Sequence, residues 1–351
     1  MNPRRPAPRG QVWGQVSDRY TIPLARDLTP DLTPDPQSLT LTPYESPWWL
    51  PGGHLQTLAA ALAPTPRVEF SRERWETPDG DFVDVDWAGD PGAARLLILF
   101  HGLEGSSRSH YARNLAAVAS ASGWRFALPH FRGCSGTPNR LPRAYHSGDS
   151  EEIDWMIRRF ASTGTALYAA GVSLGGNVLL KWLGERGAAA TELLRRAAAV
   201  SAPLDLAAAG QALDRGFNRR SYTRAFLATL KAKANAKLDL GQISFDRRRM
   251  ARARTLHEFD DLVTAPLHGF RDADEYWKRA SSAPWLERID VPTLVLNARN
   301  DPFLPAARFE RATRGASRHV LIESPATGGH VGFPARDQWL ARRILDFFSR
   351  P

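Results

Sequence analysis

Ser173 stands between glycines in Gly-Val-Ser-Leu-Gly-Gly, where a small-residue stretch beginning at Tyr168 runs into an amphipathic one. A serine on a very tight strand-to-helix turn occupies strained backbone, and its neighbours must lack bulk. Gly171 and Gly175 supply that clearance on either side. Such a turn lifts the hydroxyl above the sheet edge, and the helix N-terminus behind it favours developing negative charge. A glycine-rich turn with an incidental serine has the same pentapeptide, so its surroundings must decide.

A serine hydroxyl needs a base to take its proton, and the base needs an orienting carboxylate. His330 lies in the loop "SPATGGHVGF", after the apolar stretch "HVLIES". Asp301 follows "TLVLNARN". The order Ser, Asp, His, each at a strand end, matches a Ser–His–Asp triad on a parallel sheet. Asp205, in "SAPLDLAAAG", competes with Asp301 for the carboxylate role. It precedes a helix start, so N-capping explains it without catalysis. Asp301 is followed by Pro302, which fixes the backbone and donates no competing N–H.

Acyl transfer also needs donors for an oxyanion. One is the backbone N–H after the nucleophile, here Leu174; the other falls on Leu103 in the loop "FHGLEGSSRSHY". His101 in that loop reads as a structural histidine that holds it in shape. Cys134, in "RGCSG", reads as a small buried residue, since no base is identifiable beside it. No H-x-H or H-E-x-x-H spacing appears, so neither a metal nor a cofactor is expected.

These residues need a scaffold. "RVEFSRERWETPDGDFVDVDWAG" predicts a hairpin around Pro-Asp-Gly-Asp. "RLLILFHG" is continuously apolar, as a strand buried on both faces must be. "RFALPHFRG", "ALYAAG", "AAAVSAP", "TLVLNARND" and "HVLIES" supply further strands. "YARNLAAVASASG", "GDSEEIDWMIRRFAST" and "ARDQWLARRILDFFSR" read as helices, the second opening on a capping box of Asp149 and Glu152. "PWWLPGGHLQTLAAALAP" is aromatic and then helix-like. Strands alternating with helices predict an α/β fold with a mostly parallel central sheet and helices on both faces. Ligands in such sheets bind beyond the C-terminal strand ends. The expected domains are a Pro-rich arm over residues 1–45, open to disorder, a core over 46–203 and 285–351, and a helical cap inserted at 204–284.

The chain has 351 residues, 43% hydrophobic and 24% charged, as in a soluble globular protein. A single cysteine excludes an intramolecular disulfide. The paired arginines near the N-terminus precede no apolar h-region, and no run of 18 apolar residues occurs, so the cytoplasm is the expected compartment. A net charge of +9 raises the question of nucleic acid. The basic residues are dispersed, with no zinc-finger or RNP-like motif, so a solvated basic surface is expected and no nucleic-acid partner. Peripheral membrane contact stays open.

"PWWLPGGHLQTL", "HGLEGSSRSHY", "FRGCSGTPNRLPRAYHSGD", "GVSLGGNVLLKWLGE", "FDDLVTAPLHGF" and "NARNDPF…GGHVGF" resemble the YheT-like branch of the α/β hydrolases, which also holds ABHD-type esterases and lipases. The resemblance covers nearly everything after residue 45. It implies an α/β-hydrolase fold, a serine hydrolase acting on small-molecule carboxylic esters, and Ser173, Asp301 and His330 as its triad. The expected reaction is hydrolysis of short- to medium-chain or lipid-like esters through an acyl-enzyme on Ser173. Acyl transfer to another acceptor would use the same residues. A catalytically silent, ligand-binding fold is the alternative from another class.

Overall fold

The computed structural model describes residues 43–350; the expected arm falls largely on 1–42, outside the described residues. Tyr44, inside the expected arm, is already packed against the body: its ring lies 5.1 Å from both Phe333 and Trp339.

Eight strands form one sheet in the order β1-β2-β4-β3-β5-β6-β7-β8. They are β1 (Ser71–Glu76), β2 (Phe82–Ala88), β3 (Arg95–Phe100), β4 (Arg125–Pro129), β5 (Ala166–Val172), β6 (Arg196–Val200), β7 (Thr293–Leu296) and β8 (Val320–Glu323). β1 and β2 form the expected hairpin, with Glu76 opposite Phe82. β2 runs antiparallel to β4, and every later pairing is parallel. Because side chains alternate along a strand, β3 feeds two cores. Leu96, Ile98 and Phe100 enter one, Leu97 and Leu99 the other. β6 does the same with its alanines, whose small size lets helices approach closely.

The helices that matter for the site are α1 (Gly53–Leu62), α2 (His110–Ala121), α3 (Ser150–Ala161), α4 (Leu174–Arg186) and α5 (Leu206–Leu213). The run after Ser173 reads as amphipathic, yet α4 is buried from Leu174 to Gly184. α3 and the turn Ala283–Arg288 cover the face that would otherwise meet water. The predicted capping box does not form. Asp149 precedes α3 but makes no cap bond, because its carboxylate takes Arg143 at 2.5 Å while Glu152 takes Arg132 at 2.6 Å. Ion pairs to these two buried carboxylates outcompete the local cap.

Between β6 and β7 the chain is helical, with no strand. Its own core includes Leu227, Met250, Phe259, Tyr276 and Trp277. It meets the sheet-bearing part along a seam. Asn177 of α4 donates to Ser147 O and Ala280 O and accepts from Ser282 N–H. The His146 and His268 rings meet across the same seam, tilted by 49° with centres 4.4 Å apart. Burial pushes the His146 imidazole down to about 4 and His268 down to about 3.

Both histidines are therefore neutral in the folded protein where the unfolded chain would carry protons. Their folded values lie below the ordinary one, so the unfolded state binds more protons as pH falls below about 6.5. Stability should drop from there to about pH 4, by up to about 1.4 kcal/mol per pH unit for each histidine. Thermal melts against pH should show this slope, and His268→Phe should flatten it. A mutant slope equal to that of the parent would rule out the seam as its source.

Candidate active site

The strand β5 delivers Ser173 into a turn of unusual geometry. Its φ is 52° and ψ is −120°, a region that non-glycine residues rarely enter. The turn is enforced by crowding. A Cβ on Gly171 would meet Gly175 O at 2.5 Å, and one on Gly175 would meet Phe100 O at 2.3 Å. Ser173 N–H donates to Val200 O at 2.8 Å, anchoring the turn to β6. The hydroxyl then points to His330, with Oγ 3.0 Å from Nε2. His330 Nδ1 lies 2.9 Å from Asp301 Oδ2. The tautomer satisfying both places the ring proton on Nδ1, donating to the carboxylate, and leaves Nε2 to accept from the serine. Asp301 is buried, and its other oxygen accepts Phe303 N–H at 2.8 Å.

The structure thus brings Ser173, His330 and Asp301 into one line at the C-terminal strand ends. Asp205 stands apart: its carboxylate accepts Ala208 N–H at 3.0 Å as the N-cap of α5. His101 is fully buried. Its Nδ1–H donates to Gly102 O at 2.8 Å and its Nε2 accepts Phe131 N–H at 3.0 Å. Burial pushes it down to about 3, so it is a neutral brace between two loops. Cys134 is free, and burial pushes its thiol up to about 11, which keeps it protonated.

The loop after β3 is pinned on both sides of Leu103. Gly102 N–H donates to the Tyr111 hydroxyl and Glu104 N–H to the Tyr145 hydroxyl, each at 2.9 Å. The amide between them, Leu103, is the one predicted as a donor. Burial raises both tyrosines above their ordinary value, so they stay as hydroxyls. Glu104 adopts φ 57° and pairs with Lys233 of the helical insertion at 2.7 Å. Leu174 opens α4, where the first amides have no acceptor within the helix.

The histidine loop is held more tightly still. Four successive amides each meet a side-chain oxygen. Gly328 N–H donates to Gln56 at 2.8 Å, Gly329 to Asn300 at 3.0 Å, His330 to Thr57 at 2.8 Å and Val331 to Ser201 at 3.0 Å. Gln56 and Thr57 come from α1. Sequence reasoning assigned none of these four, nor Tyr111 and Tyr145, a role. Gln56, Thr57, Tyr111 and Tyr145 all lie inside the quoted long motifs, and that was the available signal.

A cavity of about 120 Å³ opens over Ser173 and His330. Leu103 and Leu174 line its floor, and Leu206, Phe226, Leu230, Phe259 and Trp277 of the insertion line its walls. Among the described residues no three His, Cys, Asp or Glu side chains converge as a metal site requires, and no helix is long and apolar enough to cross a membrane.

This strand order, with a serine on a strained turn after β5 and an Asp–His pair supplied after β7 and β8, defines the class of α/β hydrolases. The alpha/beta hydrolase fold family matches residues 95–336. The chain is 39% identical to YheT of Escherichia coli (strain K12), covering 84% of this chain and 90% of that protein. It is 28% identical to phospholipase ABHD3 of Mus musculus, covering 84% of this chain and 74% of that one. Among solved structures, the esterase Pf2001 of Pyrococcus furiosus superposes with a TM-score of 0.52 at 14% identity, over 81% of this chain and 93% of that one. The esterase EaEST of Exiguobacterium antarcticum gives 0.53 at 14%, over 80% and 100%. The chain belongs to the α/β hydrolase fold family, in its YheT-like branch of esterase- and lipase-type hydrolases.

Proposed function

We propose that the protein is a serine carboxylesterase. The observation that carries this reading is the hydrogen-bonded line from Ser173 through His330 to buried Asp301, at the floor of an apolar cavity. Ser173 Oγ attacks the ester carbonyl carbon while His330 Nε2 takes its proton. The carbonyl oxygen becomes an oxyanion, held by the amides of Leu103 and Leu174. The tetrahedral species collapses, the C–O bond to the alcohol breaks, and His330 returns the proton to the leaving alkoxide. Water then attacks the acyl-enzyme with His330 as base, releasing the carboxylic acid and free Ser173. The relatives support an ester or lipid-ester substrate: phospholipase ABHD3, and a monoacylglycerol lipase of Saccharomyces cerevisiae that is 27% identical over 79% of this chain and 63% of that one. Labelling by a fluorophosphonate probe, competed by an ester that is turned over, tests the reading. A folded protein that neither labels nor hydrolyses any ester of a chain-length panel would refute it.

Residues 204–284 act in this reading as a cap that shapes the acyl pocket. The cavity over Ser173 has room for a short acyl group only. A second, mostly apolar cavity of about 330 Å³ adjoins it, and Tyr145, Leu230, Phe259 and Thr264 line both. Longer acyl chains would pass between these side chains. Leu230→Trp should therefore lower kcat/KM for long-chain esters by about tenfold or more, and leave acetate esters within about twofold, since a few buried methylenes are worth 1–3 kcal/mol. Phe226, on the cavity wall beside Phe303, should likewise alter chain-length preference when charged. A chain-length profile unchanged in both variants would make the insertion an ordinary packed subdomain.

A further inference from the structure

A surface helix usually turns its apolar stripe to the core. α1 does the reverse. Leu55, Leu58 and Leu62, at i, i+3 and i+7, face solvent, while Gln56 and Thr57 point inward and hold the histidine loop. The residues before the helix extend this face. Trp48 is 92% exposed, and Trp49 is exposed as well. Phe217 of the helical insertion is exposed too, and its ring lies 4.7 Å from His54 of α1. The two segments therefore meet at His54 and Phe217, with exposed apolar side chains on both.

The charge that these two segments contribute has one sign. Residues 46–68 and 215–238 contain no aspartate or glutamate. Arg215, Arg219, Arg220 and Arg224 stand exposed around Phe217. Exposed tryptophan and leucine with exposed guanidinium groups, on two segments that carry no carboxylate of their own, fit the boundary between lipid headgroups and acyl chains. The apolar side chains enter that boundary and the arginines meet phosphates. The face is also close to the chemistry. Rings run from Phe217 to His54, from His54 to Tyr222 (5.9 Å), from Tyr222 to Phe303 (4.6 Å) and from Phe303 to His330 (4.2 Å). Phe303 and His330 line the cavity over Ser173.

We propose that the outer face of α1, with the arginine-bearing segment 215–224, docks the protein on an anionic lipid surface beside the mouth of the Ser173 cavity. Docking itself is independent of the ester-hydrolase reading; delivery of lipid esters to Ser173 rests on it. The test is sedimentation of the full chain with phosphatidylglycerol–phosphatidylcholine vesicles and with phosphatidylcholine vesicles alone. Hydrolysis of a soluble acetate ester is measured alongside. The anionic vesicles should bind more tightly, and 0.5 M salt, on the order of the concentrations that screen surface charge within a few ångströms, should weaken them. Arg219→Gln with Arg220→Gln should lower that affinity roughly thirtyfold, as expected for losing two cations at the lipid surface. Leu58→Glu with Leu62→Glu should lower it comparably. Both double variants should keep parent hydrolysis of the soluble ester within about twofold, since none of the four residues lines the cavity. Equal binding to neutral and anionic vesicles, or full binding by either variant, overturns the proposal. So does a lipid-free dimer that Leu58→Glu with Leu62→Glu dissociates, because the face would then be a contact between copies. Vesicle binding without hydrolysis of any ester would refute the esterase reading and leave the docking face standing.

Discussion

Ser173→Ala should lower kcat on the order of 10⁶-fold, leaving the residual rate that binding and oxyanion donors supply. The loss should fall on chemistry and not on folding. Alanine keeps the Cβ, and the anchor from residue 173 N–H to Val200 O is a backbone bond. The flanking glycines, which make the turn possible, are untouched. Burst kinetics and fluorophosphonate labelling should disappear together. Cys134 is not ready to replace the serine, because burial holds it protonated, with its pKa up to about 11. Ser173→Gly gives a useful contrast. The φ of 52° strains any residue with a Cβ, so the glycine variant should be equally inactive yet melt no lower than the alanine variant. Persistent labelling in Ser173→Ala would place the nucleophile elsewhere. A kcat within tenfold of the parent would do the same.

The sheet was legible because its strands are short apolar runs separated by helical periodicities, and each run has one stable place in a parallel sheet. Ser173, Asp301 and His330 were legible because a strained turn needs glycines and because chain order restricts which strand ends can meet. What supports them was not. The four side chains holding residues 328–331 come from α1, the β6 exit and the Asp301 loop, and no local pattern announces that convergence. Gln56 and Thr57 sit in a helix that by periodicity should bury its leucines. The burial is inverted because the histidine loop has donors to satisfy and no strand partner to satisfy them. The capping box failed for a related reason. Asp149 and Glu152 have the right spacing, but Arg143 and Arg132 arrive from the preceding loop, and a charged partner outcompetes a backbone N–H. Local rules gave way where tertiary contacts imposed stronger ones.

The same contest decides the carboxylate. Asp301→Asn should cost on the order of 10⁴ in kcat, because an amide favours the wrong imidazole tautomer. The structure gives the reason at atomic level. Asp301 Oδ1 accepts Phe303 N–H at 2.8 Å while Oδ2 faces His330 Nδ1 at 2.9 Å. An asparagine has one acceptor oxygen. If that oxygen keeps the buried Phe303 N–H, the amide NH₂ faces His330 and donates to Nδ1. The ring proton then moves to Nε2, and Nε2 can no longer accept from Ser173. If the oxygen turns to His330 instead, the NH₂ opposes Phe303 N–H, and two buried donors face each other without an acceptor. The first arrangement should dominate and the variant should stay folded. Asp205→Asn should be nearly silent, since asparagine accepts Ala208 N–H as an N-cap about as well as aspartate does. Steady-state kinetics on one short ester, with thermal melts to verify folding, separates the two. If Asp205→Asn lost activity and Asp301→Asn kept it at equal stability, the acid would be Asp205, and Ser173 and His330 would keep their roles with a different partner behind the histidine.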